Sequence, residues 1–331
     1  MRLSREIWTT YFLQLQEKGW VNNMIKTLCA YKGMTLRNIK VYLKDRMAII
    51  LSMLTQIIVL GLYLLFLKGN YLDTIRENLG ELESLVTDGA IEALINSWLI
   101  AGVIGTSVVT VALNSLSVMV SDKQNKINYD YGASPVKVST VVLSYFSGAV
   151  VNTIIISSIL LTAGLVFIAV GGTFVYSFTD ILCIYGLTVL GSVSSTLLLM
   201  VFASFFKKSS TLSSFNVMIS AAIGFVIGAY IPVSQFGEGV QTAVNLVPGS
   251  QIAGMMRNVL MNPAIENIDG MLGGADKGMF AESVKEIFTL KMNLFDNEAG
   301  FGFMMTYSLI AIAVFLLLNL VLYKFSSISK E

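Results

Sequence analysis

Of 331 residues, 55% are hydrophobic and 13% charged, against roughly a quarter charged in a soluble domain, which points to a membrane protein. A net charge of +1 gives no reason to expect a nucleic-acid or acidic partner, and the absence of histidine removes the commonest general base and metal ligand, with most hydrolase triads and zinc sites. The two cysteines, Cys29 and Cys183, fall in a cytoplasmic and a membrane segment, so no disulfide is expected.

In chain order, the first twenty residues lack the continuous apolar centre and cleavage site of a signal peptide, so the amino terminus is expected to be retained. Residues 1–45 read as two amphipathic helices at the cytoplasmic interface. Leu3, Ile7, Tyr11 and Leu15 share one stripe, and Ile25, Leu28, Leu36, Ile39 and Leu43 alternate with Lys26, Lys32, Arg37, Lys40 and Lys44, lysines suited to anionic headgroups or to a soluble partner. A bilayer core of about 30 Å needs about 20 apolar residues in helix. Six segments qualify: Met47–Leu67, Leu94–Val120, Val138–Val170, Ile181–Phe206, Leu212–Ile231 and Phe301–Tyr323. The third is too long for a perpendicular crossing and must tilt, break or project.

An even number of spans places both termini on one side. The segment before span one, the loops after spans two and four and the tail hold 16 of the 22 lysines and arginines, while the other three loops hold 15 of the 21 acids; the positive-inside rule makes the former cytoplasmic. The fold expected is therefore an all-α polytopic membrane protein, with interfacial residues 1–45, a six-span domain 46–325 and a cytoplasmic tail 326–331. The outer loop Lys68–Ala93 carries Ile75, Leu79, Leu82 and Leu85 at helical spacing, with a break at Gly89. Pro232 is read as the stop of span five. Beyond it, Val240–Val247 and Ile252–Met261, split by Pro248 and Gly249, are read as a re-entrant hairpin (232–261), tolerated at membrane depth only when protein or water surrounds its backbone. A polar outer loop, 262–300, follows.

No Asp, Glu, Lys, Arg or His lies inside the six segments, which disfavours an ion-coupled carrier. Small or neutral polar residues recur there every fourth position: Gly102, Thr106, Thr110 and Asn114; Thr140, Ser144, Gly148 and Asn152; Thr188, Ser192 and Thr196; and Asn216, Ser220, Gly224 and Gly228. Ser220, Gly224 and Gly228 are read as helix packing. Thr110, Asn114, Asn152 and Asn319 stand between packing and lining a path, since an amide in hydrocarbon must be satisfied. G-x-x-x-x-G-K-[ST] is absent, and the chain has no Gly-Lys pair. No nucleophile elbow, paired-carboxylate site, calcium loop or metal cluster is found, so no catalytic residue, cofactor site or metal site is assigned.

The ordered features resemble the membrane permeases of type-2 ATP-binding-cassette (ABC) transporters, the bacterial exporter group for drugs, antibiotics and lipid intermediates. The resemblance covers roughly residues 24–324. It rests on "YLKDRMAIILSMLTQIIVLGLYLLF" at Tyr42–Phe66, on "NYDYGASPVK" at Asn128–Lys137, and on "IGFVIGAYIP...VPGSQIAGMMR" with Pro232, Pro248 and Arg257. It implies a permease half: a second copy or paralogue completes the path in the bacterial cell membrane, and separate cytoplasmic ABC ATPase subunits bind ATP and magnesium. The cytoplasmic loop 121–137 would be a coupling helix, with Asp122, Lys126, Tyr129, Asp130, Tyr131 and Pro135 toward the ATPase; Tyr230, Pro232, Pro248 and Arg257 would belong to an external gate. The loop departs from the family pattern, with Lys126, Ile127, Asn128 and Tyr129 where many members carry a Gly-Thr-Leu-Glu run, and the acid displaced to Asp130. The function implied is efflux of an amphipathic or lipid-like molecule, a drug, antibiotic or peptide. The alternatives are an ion-coupled carrier or channel, a membrane transferase, and a toxin-immunity or sensor component.

Overall fold

The computed structural model describes residues 20–127, 130, 131, 134, 136–171, 173–294 and 297–328, excluding the side chains of residues 20–24, 293–298 and 323–328. The first of the two amino-terminal helices, with Leu3, Ile7, Tyr11 and Leu15, lies outside the described residues. The second is α1, Trp20–Lys44. It is separated from the first span by Asp45, whose extended backbone and side chain, accepting from the amide of Ala48 at 3.0 Å, start a new helix.

That new helix, α2 (Arg46–Leu62), passes through a π turn at Tyr63–Leu67 into α3 (Lys68–Leu79). It ends at Gly80, whose φ of 53° is open to glycine and strained for other residues. Helix therefore continues past Leu67, because nothing between Lys68 and Leu79 breaks it. Ile75 and Leu79 are buried as their spacing predicts, but Leu85 is exposed, and Gly89 lies in the first turn of α4 (Asp88–Ser115) rather than at a break. A short α5 (Ser117–Gln124) follows after a bend at Leu116. The third span, α6 (Val138–Val170), is unbroken over 33 residues, about 50 Å at 1.5 Å per residue; α1 packs along its amino-terminal half.

Helix α7 (Phe178–Phe205) opens on a Ser177–Asp180 capping box. Helix α8 (Ser209–Val226) ends five residues before the expected boundary. Gly228 takes φ 72°, and the amides of Ala229 and Tyr230 both turn back to the Gly224 carbonyl, at 2.7 and 3.2 Å, the geometry of a glycine-terminated helix. The stop is therefore Gly228, and Pro232 lies in the segment beyond. The hairpin region holds α9 (Glu238–Asn245) and α10 (Pro248–Leu272), with Pro248 in the first turn where its missing N–H costs nothing. Helix α10 does not stop at Met261: it runs through Pro263 to Leu272, with Gly273 left-handed after it. The rest of the polar loop forms α11 (Met279–Ile287) and a short antiparallel pair, β1 (Met292–Leu294) and β2 (Asn297–Ala299). The last span is α12 (Phe301–Ile328).

Among the described residues six helices are long and apolar enough to cross a membrane, giving the all-α polytopic fold, to which β1 and β2 add a small antiparallel pair. Helix α4 is its axis, with 94% of its most apolar window buried against α2, α6, α7 and α10. Glycine admits α10 and the turn after α8: a Cβ on Gly102 would sit 2.8 Å from the Ala229 Cβ, and one on Gly105 would meet Ile227 and Ala253 at 2.8 and 2.9 Å. At the end of α4 bearing its amino terminus, Tyr71 of α3, Trp98 of α4 and Phe288 after α11 form an aromatic triad of edge-on and tilted contacts with centroids 4.9 to 5.8 Å apart. The lid formed by α3 and α11 thus shares a core with the axis, a contribution of about 0.5–1.5 kcal/mol per aromatic pair beyond area burial.

Candidate functional site

At the opposite end of α4, the short helix α5 is bonded to four neighbouring segments. Asp122 is buried, 3% exposed; it receives a two-pronged ion pair from Arg37 of α1, one arm at 2.8 Å, and the Tyr145 hydroxyl of α6 donates to it at 2.6 Å. The hydrogen bond with Asp122 raises the Arg37 guanidinium above its ordinary value, with burial opposing. Lys123 donates to the Ser204 carbonyl in the last turn of α7 at 2.6 Å, a cation at the negative end of a helix. The Gln124 side-chain oxygen accepts from the Ser209 amide at 2.6 Å, satisfying one of the orphan donors at the start of α8. Phe202 and Phe206 pack at a tilt against Phe215 across the same α7–α8 turn.

The remaining coupling residues divide. Lys126 is exposed with φ 63°, Asp130 is exposed, and Tyr131 is half-buried against the main core. Tyr129 and Pro135 lie outside the described residues. Asp122 faces inward and holds α1, which separates it from the outward Lys126 and Asp130. Helix α1 is seated on the stripe of α6: Tyr31 bonds Ser147 at 2.6 Å, the Asn38 amide reaches Ser144 at 3.4 Å, and a Cβ on Gly148 would lie 3.0 Å from that of Asn38. Tyr42 donates to Ser52 of α2 at 3.0 Å, and burial pushes its phenol up to about 12. The opposite face of α1 presents Ile25, Leu28 and Leu36 among exposed lysines.

At the hairpin, Arg257 is fully buried. Its Nη2 donates to the carbonyls of Ile227 and Gly228, the latter at 3.1 Å, while Nε and Nη1 have no partner among the described residues. The carbonyls at the end of α8 are orphans carrying partial negative charge, so the guanidinium ties α10 to the end of span five. Tyr230 is buried over Gly224, where a Cβ would meet its ring at 2.2 Å, and meets Phe225 edge to face with centroids 4.8 Å apart. Gly224 and Gly228 thus admit the chain's own returning segment, not a second spanning helix. Ser220, half-buried, offers its carbonyl to Thr55 of α2 at 3.5 Å. Pro232 precedes a short turn, Val233–Gln235, and Pro248 starts α10.

The four path-lining candidates are brought to separate helix junctions. Thr110 is 2.9 Å from the Gln56 amide of α2. Asn114 bonds its own helix at 3.0 Å and accepts from Asn216 of α8 at 2.8 Å. Asn152 donates to Ser115 at 2.8 Å, and Asn319 to the Leu197 carbonyl at 2.9 Å. The Thr110 hydroxyl and part of each asparagine amide are thus satisfied inside the bundle. The sequence reading missed Arg37, Tyr145, Lys123 and Gln124 as a unit. Arg37 looked like one more interfacial cation, and only the 85-residue separation closed by folding pairs it with Asp122.

A family profile described as ABC-2 family transporter protein matches residues 83–323. It covers the loop 121–137 and the hairpin but begins after the Tyr42–Phe66 stretch. No curated protein and no solved structure matches the chain. With more than half its length in that match, the chain belongs to the ABC-2 transporter family and is a multi-pass membrane permease component.

Proposed function

We propose that the chain is the membrane half of an ATP-driven exporter, worked by separate cytoplasmic ATPase subunits and completed by a second copy or a paralogue. The observation that carries this is the α5 cluster: one eight-residue helix bonds α1, α6, the end of α7 and the start of α8. A push on the loop 121–137 then moves those elements together. In this reading Lys126, Tyr129, Asp130, Tyr131 and Pro135 meet the ATPase, and Asp122 passes the displacement inward. Arg257 carries motion of α8 to the hairpin, which acts as the outer gate around Tyr230, Pro232 and Pro248. Both termini are cytoplasmic in the bacterial cell membrane, α1 rests on lipid headgroups, and the cargo is amphipathic or lipid-like.

The test is reconstitution with a cognate ATPase. The purified chain should associate with it and stimulate ATP hydrolysis, and removal of 122–135 should abolish both. Association and stimulation that survive the deletion overturn the coupling assignment. Flux in ATP-free vesicles under an ion gradient overturns the exporter reading itself.

A further inference from the structure

Near the amino-terminal ends of α7 and α12, beside α10, lies a cleft of about 600 Å³, within the range of small-molecule sites. Its polar lining holds two carboxylates, Asp180 and Glu266, beside the neutral Ser177, Asn258 and Asn262. Asp180 uses one carboxylate oxygen on the Ser177 amide and hydroxyl, at 2.8 and 2.7 Å, leaving the other uncommitted to the cap. Glu266, exposed, lines the same cleft, and neither carboxylate has an ion-pair partner among the described residues. Asn258 donates to the carbonyls of Gly254 and Leu290, at 2.9 and 2.6 Å, so what it offers the cleft is its oxygen. Pro263, on the wall, has no N–H, so the carbonyl of Val259, also on the wall, loses its intrahelical donor. Among the described residues no lysine or arginine lines the space, and Val175 and Phe301 give it an apolar side.

Unpaired carboxylates, an amide oxygen and a freed carbonyl beside apolar surface complement a donor-rich cation with a hydrophobic body. A metal ion fits less well, because the described residues hold no group of three or more acidic or cysteine ligands. We propose that this cleft binds the ammonium or guanidinium head of an amphipathic organic cation, Asp180 and Glu266 taking the charge and Val175 and Phe301 the apolar part. This rests on the exporter reading only for its meaning as an outward-facing cargo site; binding itself requires no ATPase.

Cys183 lines the same cleft as an exposed free thiol and supplies the readout. With Cys29→Ser removing the other thiol, the full chain in nanodiscs of zwitterionic lipid is modified with cationic or anionic methanethiosulfonates, rates being normalised to a free thiol. The cationic reagent is expected to react about tenfold faster, the scale of one charge-assisted contact. Glu266→Gln, at an exposed position, should reduce that bias several-fold, and Glu266→Gln with Asp180→Asn should abolish it. Phenylethylguanidinium should protect Cys183 saturably, while neutral phenylethanol should not. Equal normalised rates, a bias unchanged in Glu266→Gln, or equal protection by the neutral alcohol overturns the proposal. Loss of ATPase stimulation with the charge bias intact overturns the exporter reading instead.

Discussion

Replacing either partner of the Arg37–Asp122 pair should destabilise the chain unequally. The Asp122 side chain is 5% exposed and that of Arg37 36%. In Arg37→Met the carboxylate stays buried with the Tyr145 hydroxyl as its remaining donor in the cluster, and breaking a buried pair from that side costs roughly 3–5 kcal/mol. In Asp122→Asn the freed guanidinium turns toward water and the new amide still accepts from Tyr145, so the loss is that of charged hydrogen bonds, about 1.5–3 kcal/mol. The double variant removes the stranded charge, so the cycle should show coupling of at least about 1.4 kcal/mol, a factor of ten in the folded ratio. The assay is reversible denaturant unfolding of the four proteins in mixed micelles, alongside ATPase stimulation by each. Stimulation should fall in both single variants even where the protein remains folded, because the Arg37 link from α1 to α5 is lost while the Tyr145 bond from α6 remains. Additivity within about 0.5 kcal/mol, or a larger cost for Asp122→Asn than for Arg37→Met, would refute the reasoning.

Gly228→Ala should lower stability by about 1–3 kcal/mol in the same assay, because the residue sits at φ 72° and its Cβ would meet Val233 at 2.7 Å and the Arg257 guanidinium at 2.9 Å; a neutral result would mean the α8 terminus is looser than the hairpin contacts require. Gly148→Leu should unseat α1 from α6, where a Cβ already lies 3.0 Å from Asn38, and appear as faster proteolysis between residues 20 and 44 at an unchanged rate elsewhere. Tyr42 and Tyr176 are both pushed up to about 12 by burial. Their phenols are protonated in folded and unfolded chains below about pH 10, so their stabilising contribution is intact there and is lost as pH rises from 10 toward 12. Alkaline melts should show that loss, and Tyr176→Phe, which also removes the 2.6 Å bond to Ser97, should lessen its steepness.

Composition and local period are enough to define part of this fold. Long runs free of ionisable side chains must pair their backbone internally as helices, so six spans were legible, and the bounds of Val138–Val170 agree with α6 to the residue. Asp45, Ser177 and Pro248 act within a turn of their own position, and such local signals are readable without a fold. Where distant segments decide, the reading ran short. Pro232 carries the stronger textual stop, but the chain turns at Gly228 because Tyr230, Val233 and Arg257 pack back onto that turn. Pro263 and the polar residues around it looked like loop, yet α10 continues because Ala264, Ile265, Ile268 and Leu272 are buried in the core beneath α3 and α11. Asp122 looked presented to a partner; only tertiary structure set Arg37 and Tyr145 against it. The physical reason is that a buried charge is settled by whichever opposite charge and donors the fold brings within 3 Å, information that no local window of sequence contains.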